Sequence, residues 1–171
     1  MTKGKGGRCF ALVKVESVAI VPDGYAVIIG QSHFIKTVED LYEALASSGT
    51  ALKFGIAFCE SSGPALIRYD GNDQPLALKA VEIAKLIGAG HVFVVTLKDG
   101  FPINVLNRIK VVEEVATVFC ATSNPVHVIV ADLQGDRGVL GVVDGSSPKG
   151  VEGEADKEER RRLLRKIGYK R

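Results

Sequence analysis

One short segment of the sequence, Gln31–Thr37, combines the residue types that phosphoryl chemistry needs. It contains His33 and Lys36, and it lies immediately before a stretch with helical spacing. The free backbone N–H groups and the dipole at a helix N-terminus favour an anion. An imidazole there can accept a phosphoryl group as a nucleophile, beside a lysine that neutralises charge. We therefore predict that His33 and Lys36 are catalytic and that Ser32 and Thr37 bind substrate.

Of the other two histidines, His91 is the alternative to His33, and His127 has an ordinary structural interpretation. His91 opens a predicted buried strand, where it can simply donate to a carbonyl, and His127 lies inside a predicted strand. A lone histidine beside a strand end is more often a packed or solvent-facing residue. This ordinary interpretation therefore applies to His33 as well.

A short predicted helix that starts at Pro102 carries Asn104 and Asn107 on one face. Asparagine is a poor helix former, and two in so short a helix indicate a hydrogen-bonding role such as reading a base or a ribose. A solvated helix face is an equally good interpretation. We predict that both asparagines bind substrate.

Further polar turns follow the predicted strand ends, and Glu60–Gly63 is one of them. Ligands of layered α/β domains commonly bind outside strand ends, so we expect several of these turns to line one pocket. Each turn taken alone also has the composition of an ordinary turn. The candidate substrate-binding residues in the later turns are Thr122, Asn124, Asp144, Ser147 and Lys149.

The common phosphate and nucleophile motifs do not fit this sequence. The segment Gly145–Gly150 has the two glycines of a P-loop, but Val151 stands where the motif needs lysine. Residues 88–93 lack the third Gly or Ala of a dinucleotide fingerprint. Phe34 stands where a G-x-S-x-G nucleophile elbow needs glycine. These patterns exclude a standard P-loop, dinucleotide or serine-hydrolase site.

The elements that must position these residues alternate between strands and helices. Alternating or continuous apolar runs predict strands, and apolar residues at helical spacing predict helices. The predicted strands cover residues 9–21, 25–30, 52–59, 65–69, 91–97, 115–121, 126–133 and 138–143, and the predicted helices begin near 37, 74, 102 and 154. This pattern predicts a single layered α/β domain, a mixed sheet flanked by helices, with α+β as the alternative.

Three local details are also predicted. The first two strands form a hairpin around Pro22, and a capping-box-like pair of Thr37 and Asp40 begins the first helix. Residues 1–7 are disordered, and residues 8–171 form one domain that includes a basic C-terminal helix. That helix, around Glu154–Ile167, docks on the body through its apolar residues Leu163, Leu164 and Ile167.

Composition narrows the classes of function. The chain has 171 residues and a formal net charge of +2. Residues 152–171 hold eight basic and five acidic side chains, a net charge of +3, which leaves −1 for residues 1–151. A nearly neutral body argues against a dedicated nucleic-acid-binding domain, and no apolar run is long enough to span a membrane. The cysteines Cys9, Cys59 and Cys120 form neither a disulfide framework nor a zinc signature, so we expect a cytoplasmic protein.

Several segments along the chain share motifs with one family: Gly30–Leu45, Lys53–Glu60, Gly88–Phe93, Phe101–Asn107, Phe119–Thr122, Asn124-Pro125, Gly141–Gly145 and Ser147–Gly150. They resemble the adenosine-specific kinase family of archaea and bacteria. The similarity runs from about Ala26 to the end of the chain, and the N-terminal extension departs from it. The resemblance implies a compact α/β protein that forms a homo-oligomer, a trimer or a multiple of one. It also implies that the protein binds adenosine or AMP and carries a stable phosphohistidine.

Two functional hypotheses follow from the residues and the resemblance together. In the first, the protein is a phosphotransferase with His33 as the phosphorylated intermediate and ATP with magnesium as the donor, without a tightly bound metal. Lys36 and Lys149 neutralise phosphate charge, and Asp144 holds a ribose hydroxyl or a magnesium ion. In the second, the same pocket binds adenosine nucleotides without turnover, as a sensor or carrier. A structural oligomer built on the C-terminal helix is a third possibility.

Overall fold

The computed structural model describes residues 12–170, which form eight strands and four helices. Their bounds are β1 Lys14–Ile20, β2 Ala26–Ser32, α1 Thr37–Ala46, β3 Lys53–Cys59, β4 Ile67–Gly71, α2 Gln74–Ile87, β5 Val92–Lys98, α3 Pro102–Lys110, β6 Val115–Thr122, β7 Val126–Leu133, β8 Asp136–Asp144 and α4 Glu154–Lys166. The predicted disorder of residues 1–7 and the prediction for Cys9 concern residues outside this range.

The strands form two sheets. A large sheet has the order β4-β3-β5-β2-β6, a small sheet has the order β1-β7-β8, and each neighbouring pair is antiparallel. The predicted layered α/β domain is confirmed. The expected single sheet is divided in two, and its antiparallel pairing corresponds to the α+β alternative.

The core lies on both faces of the large sheet. On one face, α1 and α3 cover a cluster that includes Leu41, Phe54 and Ile109. On the other face, α2 and the small sheet cover a second cluster that includes Ile87 and Val128. The large sheet is therefore the middle layer of three.

The predicted hairpin between the first two strands is wrong. β1 pairs with β7, from Lys14 opposite Asp132 to Ile20 opposite Val126. β2 lies between β5 and β6 instead. The physical reason is burial, because β2 is apolar on both faces and belongs inside a covered sheet, whereas β1 alternates and suits an edge.

The predicted docking of the C-terminal helix is also wrong within one chain. No residue of α4 is buried, and Leu163 and Ile167 are 54% and 44% exposed. Tyr169, just beyond α4, does contact the body: its hydroxyl lies 3.1 Å from Asn104 Nδ2, and its ring meets the edge of Phe101. A helix with so many charged side chains can remain exposed to solvent. Its few apolar residues are nevertheless uncovered in the single chain.

Candidate functional site

His33 is held at one end of the large sheet, immediately after β2. The backbone N–H of Ser32 donates to the carbonyl of His91, 2.9 Å away, and the N–H of His33 donates to the carbonyl of Glu114, 3.1 Å away. The two neighbouring strands thus fix the His33 backbone from both sides. The His33 side chain itself is exposed, so the imidazole can reach a ligand.

Ser32 and Thr37 close the loop that carries His33. Both are fully buried, and their hydroxyl oxygens are hydrogen-bonded to each other at 3.1 Å. Thr37 Oγ1 also donates to the carbonyl of Phe34. The predicted Thr37–Asp40 capping pair is wrong, since Lys36 is the N-cap and no side chain caps the helix. These two hydroxyls fix the loop that leads into α1.

Lys36 lies in a network of carboxylates. Its Nζ is 2.7 Å from Asp40 Oδ2, forms an ion pair with Glu114 and lies 4.0 Å from Glu113. The hydrogen bonds that Lys36 donates to Asp40 and then to Glu114 raise the pKa of Lys36, so its ammonium stays charged. One cation among three carboxylates gives a local net charge of −2. The positive charge of Lys36 is therefore already neutralised by protein carboxylates.

A cavity of about 710 Å³ opens at the same end of the large sheet. This volume is in the range of small-molecule sites. Glu60, Ser61 and Gly90 line it from the strand ends, and Lys85 and Arg137 line it from α2 and the start of β8. We call this end of the sheet, with the cavity and the His33 loop, the His33 end.

His91 lies between the cavity and the His33 loop. Its φ of +60° is unusual for a residue other than glycine, and its N–H donates to the carbonyl of Cys59 at 2.7 Å. Its ring is stacked on Phe58, with the centroids 6.1 Å apart. The contacts of His91 are those of a residue that joins β3 to β5.

Three of the predicted substrate-binding residues meet at the opposite end of the large sheet. Asp144 Oδ1 accepts hydrogen bonds from Thr122 Oγ1 at 2.8 Å and from Asn124 Nδ2 at 3.3 Å. The N–H of Asn124 donates to Thr122 Oγ1 at 3.0 Å. The three side chains form one connected cluster where β6, β7 and β8 begin or end.

Asn104 lies at this same end, which we call the Asn104 end. Its Oδ1 accepts the N–H of Phe101 at 2.8 Å, and its Nδ2 donates to the hydroxyl of Tyr169. Both polar atoms of its side chain thus have protein partners. Phe101 also lines a cavity of about 320 Å³ at this end, together with Tyr25, Lys98 and Ser123. The remaining predicted ligands, Asn107, Ser147 and Lys149, are exposed.

The predicted site residues therefore form two groups. β2 spans seven residues between the two ends, a distance of about 20 Å at the usual rise per residue. His33, Lys36, Ser32 and Thr37 lie at one end, and Asn104, Thr122, Asn124 and Asp144 lie at the other. The polar turns are therefore divided between the two ends: Glu60–Gly63 lies at the His33 end with the Gln31–Thr37 loop, and the later turns lie at the Asn104 end, where Phe101 and Ser123 from two of them line one cavity. The division arises because successive antiparallel strands end on opposite sides.

Neither Glu114 nor the Glu60–Arg68 ion pair is indicated by a sequence pattern. Glu114 is 2% exposed, and Arg68 Nη2 donates to Glu60 Oε2 at 2.7 Å. The only local signal for Glu114 was a glutamate directly before an apolar strand, a position usually exposed. Its importance depends on the pairing of β6 with β2, which no local pattern gives.

Other reactive groups lie away from both ends or are inert. Burial raises the pKa of the Cys59 and Cys120 thiols to about 11, so both stay protonated at neutral pH. His127 Nδ1 lies 3.0 Å from Ser17 Oγ on the small sheet. Within residues 12–170, no three His, Cys, Asp or Glu side chains are grouped to hold a metal ion. No helix in that range is long and apolar enough to cross a membrane.

Comparison with known proteins agrees with the sequence resemblance. The crystal structure of the PH1918 protein from Pyrococcus horikoshii OT3 is 48% identical in sequence, with a TM-score of 0.88 over 94% of this chain and 99% of that one. A search of curated proteins gave no match. The family described as adenosine specific kinase matches residues 17–170. The chain belongs to the adenosine-specific kinase family.

Proposed function

We propose that this protein is an adenosine-type phosphotransferase that works through a phosphohistidine at His33. The observation that carries the proposal is the position of this imidazole: exposed, with its backbone fixed on both sides, three residues before Lys36, the N-cap of α1. Membership of the adenosine-specific kinase family supports the kinase-like role.

The proposed reaction has two half-reactions. An imidazole nitrogen of His33 attacks the terminal phosphorus of ATP, so an N–P bond forms while the P–O bond to ADP breaks, and the other ring nitrogen keeps its hydrogen. The 5′-hydroxyl oxygen of adenosine then attacks that phosphorus. An O–P bond forms, the N–P bond breaks and the hydroxyl proton leaves, which gives AMP.

The charges around His33 constrain this reaction. The neighbouring Lys36 is already paired with Asp40 and Glu114, so it does not offset a full phosphoryl charge. The backbone N–H groups that begin α1 are the other positive partial charges at this position. Magnesium would arrive on the phosphates of ATP, as is usual for that ion, and would supply the missing positive charge.

A second candidate function rests on this same charge balance. Because the carboxylates outnumber the cation beside His33, the site is better suited to an uncharged nucleoside than to a free phosphate. An adenosine-binding sensor or carrier that never turns over would need no further positive charge. This hypothesis predicts binding without any covalent phosphate.

We also propose that the protein forms a homo-oligomer, with the trimer implied by the family resemblance as the expected form. The outer face of the small sheet supports this proposal, because it stays exposed or half-exposed and, apart from His127, carries mainly small and apolar side chains: Val15, Ser17, Ala19, Ile129, Ala131, Gly141 and Val143. The uncovered stripe of α4 is a second apolar surface. The net positive charge of residues 152–171 also complements the slightly negative charge of the rest of the chain.

The test of the proposed function is replacement of His33. His33→Asn removes the nucleophile but keeps a polar side chain, so the fold and the adenosine affinity should survive while labelling from [γ-³²P]ATP disappears. His91→Asn is the control, and it should lower stability through its lost packing on Phe58 more than it lowers labelling.

Three results discriminate between the hypotheses. Acid-labile phosphate in the parent and in His91→Asn, but not in His33→Asn, supports the proposal. Label that persists in His33→Asn and vanishes in His91→Asn moves the nucleophile to His91. Absence of label in the parent, together with a melting temperature that adenosine raises, favours the binding protein.

A further inference from the structure

The carboxylate of Glu114 is buried with half of its hydrogen-bonding capacity unused. The residue is 2% exposed, and its Oε1 forms the ion pair with Lys36. Its Oε2 is shielded from solvent and has no hydrogen-bond partner among residues 12–170. A buried charged acceptor without a donor is costly. Such an oxygen needs a donor in the functional state.

The backbone of His33 lies directly beside the backbone of Glu114. The pairing of β2 with β6 ends with Ser32 opposite Val115, and the hydrogen bond from His33 N to the carbonyl of Glu114 continues it by one residue. Residues opposite each other on neighbouring strands have Cβ atoms roughly 5 Å apart. A rotation of the His33 side chain can therefore bring a ring N–H donor toward Glu114.

The neighbours of this pair are Lys36, Asp40, Glu113 and His91. Lys36 binds one oxygen of Glu114, and Asp40 binds Lys36 from α1. Glu113 is 90% exposed and only 4.0 Å from the same ammonium, so its charge faces solvent. The carbonyl of His91, the residue before β5, accepts the N–H of Ser32.

We infer that Glu114 is a positioning residue for His33. Its Oε2 accepts one ring N–H of the imidazole, which leaves the lone pair on the other nitrogen to form the N–P bond. A carboxylate that accepts from a histidine fixes both its tautomer and its orientation, as it does behind metal-bound histidines. The role of Glu114 in phosphoryl transfer rests on the proposed function. The hydrogen bond between His33 and Glu114 does not depend on it.

The chain offers a matched pair of variants to test this. Glu114→Gln keeps the size of the side chain and removes its charge, and Glu113→Gln makes the same change at the adjacent exposed residue. We expect Glu114→Gln to slow phosphate incorporation from ATP about tenfold or more, the usual effect of losing such a partner. Glu113→Gln should label at the parent rate.

The second readout is the tautomer of His33 in the unphosphorylated protein, measured from its ring-nitrogen chemical shifts. One tautomer should dominate in the parent and in Glu113→Gln, and a mixture should appear in Glu114→Gln. Glu114→Asp, which keeps the charge but withdraws the oxygens, should also give a mixture and serves if the glutamine variant does not fold.

Several outcomes would overturn the inference. The proposed hydrogen bond between the His33 ring and Glu114 is ruled out if the parent shows a mixture of tautomers. It is also ruled out if the Glu114 variants keep the single tautomer of the parent. If Glu113→Gln and Glu114→Gln lose labelling equally, the loss comes from removing a negative charge near His33 and not from a specific contact of Glu114. If the parent takes up no phosphate, the proposed function fails, while the tautomer measurement still decides whether Glu114 orients His33.

Discussion

Lys36 shows how the charge near His33 is distributed at the scale of single residues. Its ammonium bridges Asp40 on α1 and Glu114 before β6, so it ties the helix to the sheet. Such a bridge keeps the loop between them in one conformation. A phosphoryl group on His33 must then draw its positive partners from backbone N–H groups and from a cation bound to the substrate.

Asn104 and Asn107 make a second test at this scale, because they lie one turn apart on α3 with different contacts. Asn104 Oδ1 accepts the N–H of Phe101 at the start of the helix. We expect Asn104→Ala to lower the free energy of unfolding by about 1 kcal/mol, the usual effect of losing a helix cap. Chemical denaturation measures this change.

Asn107→Ala is the matched control, since the Asn107 side chain is exposed. Its effect on unfolding should stay within about 0.5 kcal/mol. If Asn107 reads the nucleoside, the same variant weakens the adenosine-induced rise in melting temperature. Equal stability losses in the two variants would contradict the capping role of Asn104.

At the scale of elements, the contact of α2 with β3 limits what the large sheet tolerates. A Cβ added at Gly55 would lie 2.1 Å from the backbone nitrogen of Ala77, so helix and strand touch through their main chains. We expect Gly55→Ala to destabilise the protein by about 3 kcal/mol, since the crowding falls on backbone that cannot rotate away. Thermal or urea unfolding measures it.

Gly138 on β8 provides the comparison for this substitution. It also lies in a strand, but a Cβ there meets nothing within 4 Å. Gly138→Ala should therefore change the free energy of unfolding by less than about 0.5 kcal/mol. A large loss at Gly138, or none at Gly55, would mean that α2 does not pack on β3 as closely as described.

The elements themselves were largely predictable because their signals are local. The wide apolar face of α2, its Asp73 cap and the left-handed Gly88 at its end all appear in the sequence. Pairing was not predictable: the turn at Pro22 indicated a hairpin, yet β1 joins β7 across more than a hundred residues. The division of the candidate site has the same cause. Which strand ends share an edge depends on sheet order, and so does the burial of Glu114 beside His33.

At the scale of the whole molecule, the separation of the two groups of candidate residues raises the question whether one chain or two copies form the substrate site. The large sheet separates the His33 end from the Asn104 end by about 20 Å. A single chain cannot apply both groups to one nucleoside. Either only one end binds the substrate, or two copies meet so that the His33 end of one faces the Asn104 end of the other. The uncovered face of the small sheet and α4 are surfaces on which copies can associate.

Mixing two inactive variants distinguishes these arrangements. His33→Asn lacks the nucleophile, and Asp144→Asn disturbs the carboxylate that Thr122 and Asn124 share. If sites are shared between copies, subunits unfolded and refolded together in equal amounts should regain about a quarter of the parent's phosphotransfer, because a quarter of the contacts then join two intact halves. If Asp144→Asn is already active alone, the Asn104 end does not serve this reaction. If both variants are inactive and refolding together restores nothing, the two ends do not complement each other across copies, and sharing between subunits is excluded.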